Sequence, residues 1–170
     1  MKVIIREAQP SDASQIIQYI QRLSKEPVSN IVISPGEFNP SVEEEAKIIS
    51  EFASSENSIL LVAEMDGKII GTLNCRGRSD RKAIHHSVAI GMSVDQDWRG
   101  QGIGTLLMTN FIDWARETGF IKRIELMVFE RNEIAIHLYQ KFGFEIEGKH
   151  RKAIFRDGMY LDNLTMALLL

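Results

Sequence analysis

RGQGIG, residues Arg99 to Gly104, sets three glycines on alternate positions between two runs of different periodicity. Before it stands the strand-like VAIGMSV (88–94). After it comes the helix-like TLLMTNFIDWAR (105–116), whose Leu107, Phe111, Trp114 and Ala115 fall on one face. A backbone stripped of side chains where a strand hands over to a helix suits an anion. First-turn N–H groups lack intrahelical partners and carry about half a positive charge, and successive amides in a turn form a nest. Two familiar phosphate loops fail on spacing. A dinucleotide fingerprint begun at Gly100 needs glycine where Thr105 stands, and one begun at Gly102 needs it where Leu107 stands. A Walker-type loop needs Gly-Lys-Ser/Thr, and no lysine lies between Asp95 and Arg116. Arg99-x-x-Gly102-x-Gly104 remains, beside the plainer reading of a turn that uses glycine only to pack.

Outward from this stretch the elements alternate. KVIIREA reads as a strand, and PSDASQIIQYIQRL as a helix capped by Ser11 or Asp12, with Ile16, Ile17, Ile20 and Leu23 at helical spacing. EPVSNIVISPGEFNP, with prolines at 27, 35 and 40, is an irregular loop, and Ser41 with Glu44 makes a capping box for VEEEAKIISEFA. SILLVAEM and KIIGTLNCRG flank Asp66-Gly67, which can supply a two-residue hairpin turn. AIHHSVAIGMSV (83–94) reads as one long strand and IKRIELMVF (121–129) as the strand after the central helix. NEIAIHLYQKFG gives a short helix ending at Gly143, and FEIEGKHRKAIF with MYLDNLTMALLL a hairpin across Asp157-Gly158. The order predicts an α/β (α+β) domain spanning 1–170, with a mixed sheet flanked by helices.

Composition excludes several classes of function. The chain has 170 residues, 44% of them hydrophobic, enough for one domain with its own core. A formal charge of −3 without a Lys/Arg run argues against nucleic acid as a partner. Cys75 stands alone, so no intrachain disulfide forms, and no Cys/His spacing suits zinc; no metal is expected. The N-terminus lacks a signal-peptide apolar core and no run approaches about 20 apolar residues, so a cytoplasmic protein without a membrane segment is expected.

Arg99-x-x-Gly102-x-Gly104 resembles the pyrophosphate loop of the GNAT superfamily of acyl-CoA-dependent N-acyltransferases. NEIAIHLYQKFGF resembles that family's second signature, matching at Asn132, Ala135, Leu138, Tyr139, Gly143 and Phe144. The resemblance implies a mostly antiparallel sheet of about seven strands, splayed in the middle and flanked by about four helices. It implies acetyl-CoA as co-substrate, held by Met92, Ser93, Val94, Arg99, Gly100, Gln101, Gly102, Ile103, Gly104, Thr105 and Asn132. In the family, a bulge in the strand ending IGMSV splays it, leaving amides near Met92 and Val94 for the pantetheine and the developing oxyanion. Tyr139 has the place of the general acid that protonates the departing thiolate. The acetyl group would pass directly to a primary amine through a tetrahedral intermediate.

The carboxylate that the family often carries before the loop is missing from residues 84–94. His86 and Glu125 are nearby titratable groups, but a solvated strand edge and a polar face explain them better, so neither is taken as catalytic, and water can serve as base. Trp98 and Trp114 read as packing residues. Glu26, Glu37, Glu43, Glu44 and Glu45 would suit a cationic acceptor or simply a solvated surface. The last 50 residues resemble enzymes acetylating amino acids, polyamines or ribosomal-protein N-termini, without choosing among them. A non-catalytic acyl-CoA sensor is the alternative of another class, and homodimerisation is compatible with the chain.

Overall fold

In the computed structural model, which describes residues 2–78 and 80–170, the chain opens with strand β1 (Ile4–Glu7) and helix α1 (Ala13–Ser24). Neither Ser11 nor Asp12 caps α1 through its side chain. A 3-10 turn, Pro10–Asp12, precedes the helix instead, with Asp12 accepting from the Gln9 N–H at 2.7 Å. Arg6 on β1 is the stronger attraction for that carboxylate: its guanidinium donates to both Asp12 oxygens, at 2.7 and 3.0 Å, and also reaches Glu64. The bidentate pair with a guanidinium, added to the Gln9 N–H, occupies the carboxylate that would have capped the helix.

Helix α2 (Val42–Ala53) starts at the expected capping box, Ser41 Oγ accepting from Glu44 N–H and Glu44 from Ser41 N–H. Strands β2 (Ile59–Met65) and β3 (Lys68–Gly77) form a hairpin through Asp66 and Gly67, both at positive φ, the requirement of a type I′ turn. Strand β4 (Ser87–Val94), helix α3 (Ile103–Glu117), strand β5 (Arg123–Phe129) and helix α4 (Glu133–Lys141) follow. Strands β6 (Glu145–Arg156) and β7 (Met159–Leu169) close the chain across Asp157-Gly158.

β4 is shorter than its sequence suggests. Residues 83–86 are not strand: the Ile84 N–H bonds Arg81 O and the Ser87 N–H bonds Ile84 O, closing turns. His85 stacks on Phe120 with ring centroids 4.8 Å apart, and the His86 carbonyl accepts from the N–H groups of Lys122 and Arg123. The ring contact accompanies the turn at His85, and the His86 carbonyl starts the pairing with β5.

The seven strands form one sheet in the order β1-β2-β3-β4-β5-β7-β6, antiparallel except for β4 against β5. Alternation along β2 shows why both faces are buried. Ile59, Leu61, Ala63 and Met65 join the core under α3 and α4, while Leu60 and Val62 join the smaller core under α1 and α2. The parallel pair lasts only from Ser87–Ile90 against Arg123–Leu126. Beyond it β4 stays with β3 and β5 with β7, so the sheet splits at its centre. The expected bulge is not the cause: β3 and β4 pair without a register shift over Gly71–Gly77, and the shifts fall in β2–β3 and β6–β7. The split begins where the two strands stop pairing.

Candidate active site at the split sheet

The phase of the β3–β4 ladder decides which amides face the split. Arg78 N–H bonds Ser87 O and Asp95 N–H bonds Ile70 O, so residues 89, 91 and 93 direct their main-chain groups toward β3. Residues 88, 90, 92 and 94 direct theirs the other way. Val88 and Ile90 meet β5; Met92 and Val94 face the gap.

A cavity of about 550 Å³ occupies this gap. Met92, Ser93, Val94, Arg99, Gly100, Gly102, Ile103, Gly104, Thr105, Asn132 and Tyr139 all line it, brought together from β4, the glycine loop and α4. Gln101 does not; its side-chain amide donates to the Asp97 carbonyl.

The loop presents a bare helix start. Gly102 is the N-cap of α3 at φ 81, with no side chain to offer the N–H groups of Ile103, Gly104 and Thr105. Only the next amide, Leu106, bonds back to Gly102 O. By contrast α2 is capped by Ser41 and α4 by Asn132, whose Oδ1 accepts from Ala135 N–H. Gly100 and Gly102, both at positive φ, have open space where a Cβ would stand. Gly104 differs: a Cβ there would lie 3.0 Å from Leu138 Cδ2, so this glycine lets α3 approach α4. Such a cradle of uncapped amides fits a pyrophosphate.

Arg99 is already engaged within the chain rather than free for a phosphate. Its Nε donates to Val94 O at 2.9 Å, and its Nη2 contacts both Glu26 oxygens, at 2.9 and 2.6 Å. Glu26 also lines the cavity, so the carboxylate offered for a cationic acceptor is already paired. Glu44 is used in the α2 cap, and Glu37 accepts from Ser34 N–H. Glu45 is buried, and loss of solvent raises its pKa.

Tyr139 is buried with its ring tilted against Phe144, and burial pushes its phenol up to about 12. Ser93 points the opposite way from Met92 and Val94: its hydroxyl lies 3.0 Å from Tyr19 Oη and 3.2 Å from Thr72 Oγ1. His86 and Glu125 line no part of the cavity. Glu125 pairs with Arg78 and Arg123. Trp98 is on the cavity wall, whereas Trp114 packs on Phe111.

Residue-by-residue reading missed Ser29, Asn30 and Ile31 on the wall beside Leu23 and Glu26, and Ile134, His137 and Lys141 on the face of α4 that carries Leu138. The second set had a signal. Ile134 and Leu138, and His137 and Lys141, are spaced four apart, which puts each pair on one face of the helix that carries Tyr139. The first set had none, because an irregular loop has no periodicity.

A mixed sheet split between its parallel strands, with a bare helix start opening on the split, is the architecture of acyl-CoA-dependent acyltransferases. The chain belongs to the acetyltransferase (GNAT) family, whose model matches residues 25–144. A GNAT-family acetyltransferase structure from Streptococcus pneumoniae is 32% identical, superposes with a TM-score of 0.94, and each chain covers 99% of the other. The L-amino acid N-acetyltransferase AaaT of Escherichia coli is 38% identical over 109 residues, which are 63% of this chain and 65% of that protein. The spermidine N(1)-acetyltransferase of Escherichia coli is 25% identical over 63% of this chain and 56% of its own length. The match thus spans less than two thirds of these curated relatives. A GNAT superfamily phosphinothricin acetyltransferase from Sinorhizobium meliloti, solved with AcCoA, shares the fold at 23% identity and TM-score 0.84, over 100% of this chain and 89% of its own. Among the described residues no helix is long and apolar enough to cross a membrane.

Proposed function

We propose that the protein is an acetyl-CoA-dependent N-acetyltransferase acting on a primary amine of a small molecule, an amino acid or a polyamine. One observation carries this reading: the uncapped start of α3, the gap-facing amides of Met92 and Val94, and Tyr139 share a single cavity. Acetyl-CoA supplies the thioester. The Gly100–Thr105 amides would hold its pyrophosphate, Asn132 and the β4 edge its pantetheine arm, and the Met92 and Val94 N–H groups would polarise the carbonyl. The named relatives acting on L-amino acids and spermidine support the acceptor class.

In the reaction the amine nitrogen bonds the acetyl carbon, the carbon–sulfur bond breaks, the nitrogen loses a proton and the sulfur gains one. A phenol at about 12 does not give its proton outright to a thiolate whose ordinary pKa is about 8.5. Tyr139 therefore lowers the barrier first as a hydrogen-bond donor to sulfur, and the dry gap, which raises a thiolate's pKa too, narrows the mismatch. The amine's proton leaves to solvent, since the cavity's own carboxylate, Glu26, is engaged by Arg99.

Acetyl-CoA-dependent thiol release against free amino acids, polyamines and N-terminal peptides tests this, with Tyr139→Phe beside the wild type. Turnover of an amino acid or polyamine that the variant loses supports both the activity and Tyr139. Turnover only of peptides would move the acceptor to protein N-termini. Acetyl-CoA binding without any turnover would favour the sensor.

A further inference from the structure

Arg156, the last residue of β6, is 95% buried in its side chain, yet its nearest carboxylate, Asp157, is 4.0 Å away and half exposed. A charge so placed is costly unless its donors are used. Here they are spent on main-chain carbonyls of one segment: Nη2 donates to Ser24 O at 2.7 Å, and Nη1 to Ile31 O at 3.0 Å and Ile33 O at 2.7 Å. Arg131, in the turn between β5 and α4, adds bonds to Ser29 O at 2.8 Å and Asn30 Oδ1 at 3.1 Å. At its other end the segment is tied to the glycine loop through Glu26 and Arg99. Residues 25–33 are thus a strap without regular structure, held in shape by arginines.

The strap supplies Glu26, Ser29, Asn30 and Ile31 to the cavity wall. It continues from α1, which packs on the face of the sheet opposite α3 and α4. A donor bound at the start of α3 enters the split from the α3 side, so the amine must arrive from the strap side. The β6–β7 register shifts explain how the hairpin reaches the strap. Extra residues between Ile146 and Gly148 and between His150 and Ile154 bend β6, bringing Arg156 over Ser24 and Ile31.

We propose that Arg156, seconded by Arg131, is a positioning residue for the acceptor site: it fixes the strap as the wall against which the amine is placed, while leaving the acetyl-CoA site unaffected. The assignment to the acceptor rests on the acetyl-transfer reading above.

The test uses Arg156→Met, Arg156→Lys and Arg131→Gln in the full chain. Limited digestion with thermolysin, which cuts before apolar residues, reads the strap at Val28, Ile31, Val32 and Ile33 without needing activity. Arg156→Met should be cut there at least tenfold faster than wild type. Its acceptor KM should rise at least tenfold, with kcat changed less than threefold and the acetyl-CoA dissociation constant within twofold. Arg156→Lys, able to fill only some of the three carbonyl positions, should fall between. If Arg156→Met does not fold, Arg131→Gln must show the same split in smaller measure. Unchanged cleavage overturns the strap; an acceptor KM that rises together with an equal loss of acetyl-CoA affinity overturns its assignment to the acceptor. Should wild type turn over no amine, the acetyl-transfer reading fails and the acceptor role with it, while digestion still decides whether Arg156 holds the strap.

Discussion

Tyr139 and Asp12 show how one environment can favour the neutral form of a side chain and another its charge. Burial alone raises the Tyr139 phenol to about 12, so it stays protonated through the range in which an amine becomes nucleophilic. We expect Tyr139→Phe to lower kcat about 100-fold, with acetyl-CoA affinity, measured by calorimetry, within threefold. In the wild type, the pH profile of kcat should show no alkaline loss from this group until the pH nears 12. A descending limb between pH 8 and 10 that disappears in the variant would contradict the raised pKa, and equal kcat in the variant would contradict the role. Asp12 is the opposite case: hydrogen bonds from Arg6 lower its pKa, burial opposes them, and the Gln9 N–H adds to the lowering. A depressed folded-state pKa stabilises the fold above the unfolded value of about 3.9. That contribution is lost as pH falls through the lower folded value. Asp12→Asn should therefore destabilise at pH 7 by about 2 kcal/mol, discounted for the partly exposed Arg6. It should also flatten the acid limb of stability below pH 4, as urea titrations at pH 7 and pH 3 would show.

Three helix starts in this chain are built differently, and the difference separates support from binding. Ser41 and Asn132 close the first turns of α2 and α4, while Gly102 leaves that of α3 open. Replacing Ser41 with alanine should cost about 1 kcal/mol of stability and leave acetyl-CoA binding unchanged. Gly102→Ala meets no neighbour within 4 Å but must hold φ 81. The strain is about 1–2 kcal/mol, and the methyl stands where the anion would approach. Its expected signature is a modest fall in Tm with acetyl-CoA affinity down at least tenfold. In Gly104→Ala the Cβ would press on Leu138 Cδ2 at 3.0 Å instead. Leu138 Cδ2 is the free end of a flexible side chain, and alanine gains about 1 kcal/mol of helix propensity, so stability should shift by no more than about 1 kcal/mol, and binding should change less than in Gly102→Ala. Equal affinity in wild type and Gly102→Ala would remove the pyrophosphate from the loop. Most element boundaries were legible because capping boxes, Asp-Gly turns and apolar periodicity are local chemistry. The α1 cap and the start of β4 were not: Arg6 claims Asp12 from a neighbouring strand, and His85 stacks on Phe120 from a turn. Neither contact follows from the periodicity or capping pattern of a single element.

Over the whole molecule the sheet is two half-sheets, β1–β4 and β5–β7, joined by four residues of parallel pairing and by the core beneath α3 and α4. Two motifs in register, Arg99 to Gly104 and Asn132 to Phe144, made this family's fold readable. Of the residues expected around the cofactor, all but Gln101 line the cavity, because both motifs and the end of β4 lie on its rim. The strap could not be read, since its shape comes from Arg131 and Arg156, over a hundred positions away. The split itself makes a prediction that neither half could make alone. If acetyl-CoA lies along β4 with its pyrophosphate on α3, it supplies partners to the gap-facing amides as well as to the helix start. Hydrogen exchange should then slow at Met92 and Val94 together with Ile103, Gly104 and Thr105, while Ala89 and Ser93, directed toward β3, change little. At 100 times its dissociation constant the ligand should add about 2.7 kcal/mol, which for a chain of this size raises Tm by about 5–10 °C. Protection at residues 103–105 alone would place the nucleotide on the helix but keep the thioester out of the split. The alternating pattern along β4 is decisive, because a ligand that merely stiffened the domain would protect residues on both edges of the strand alike.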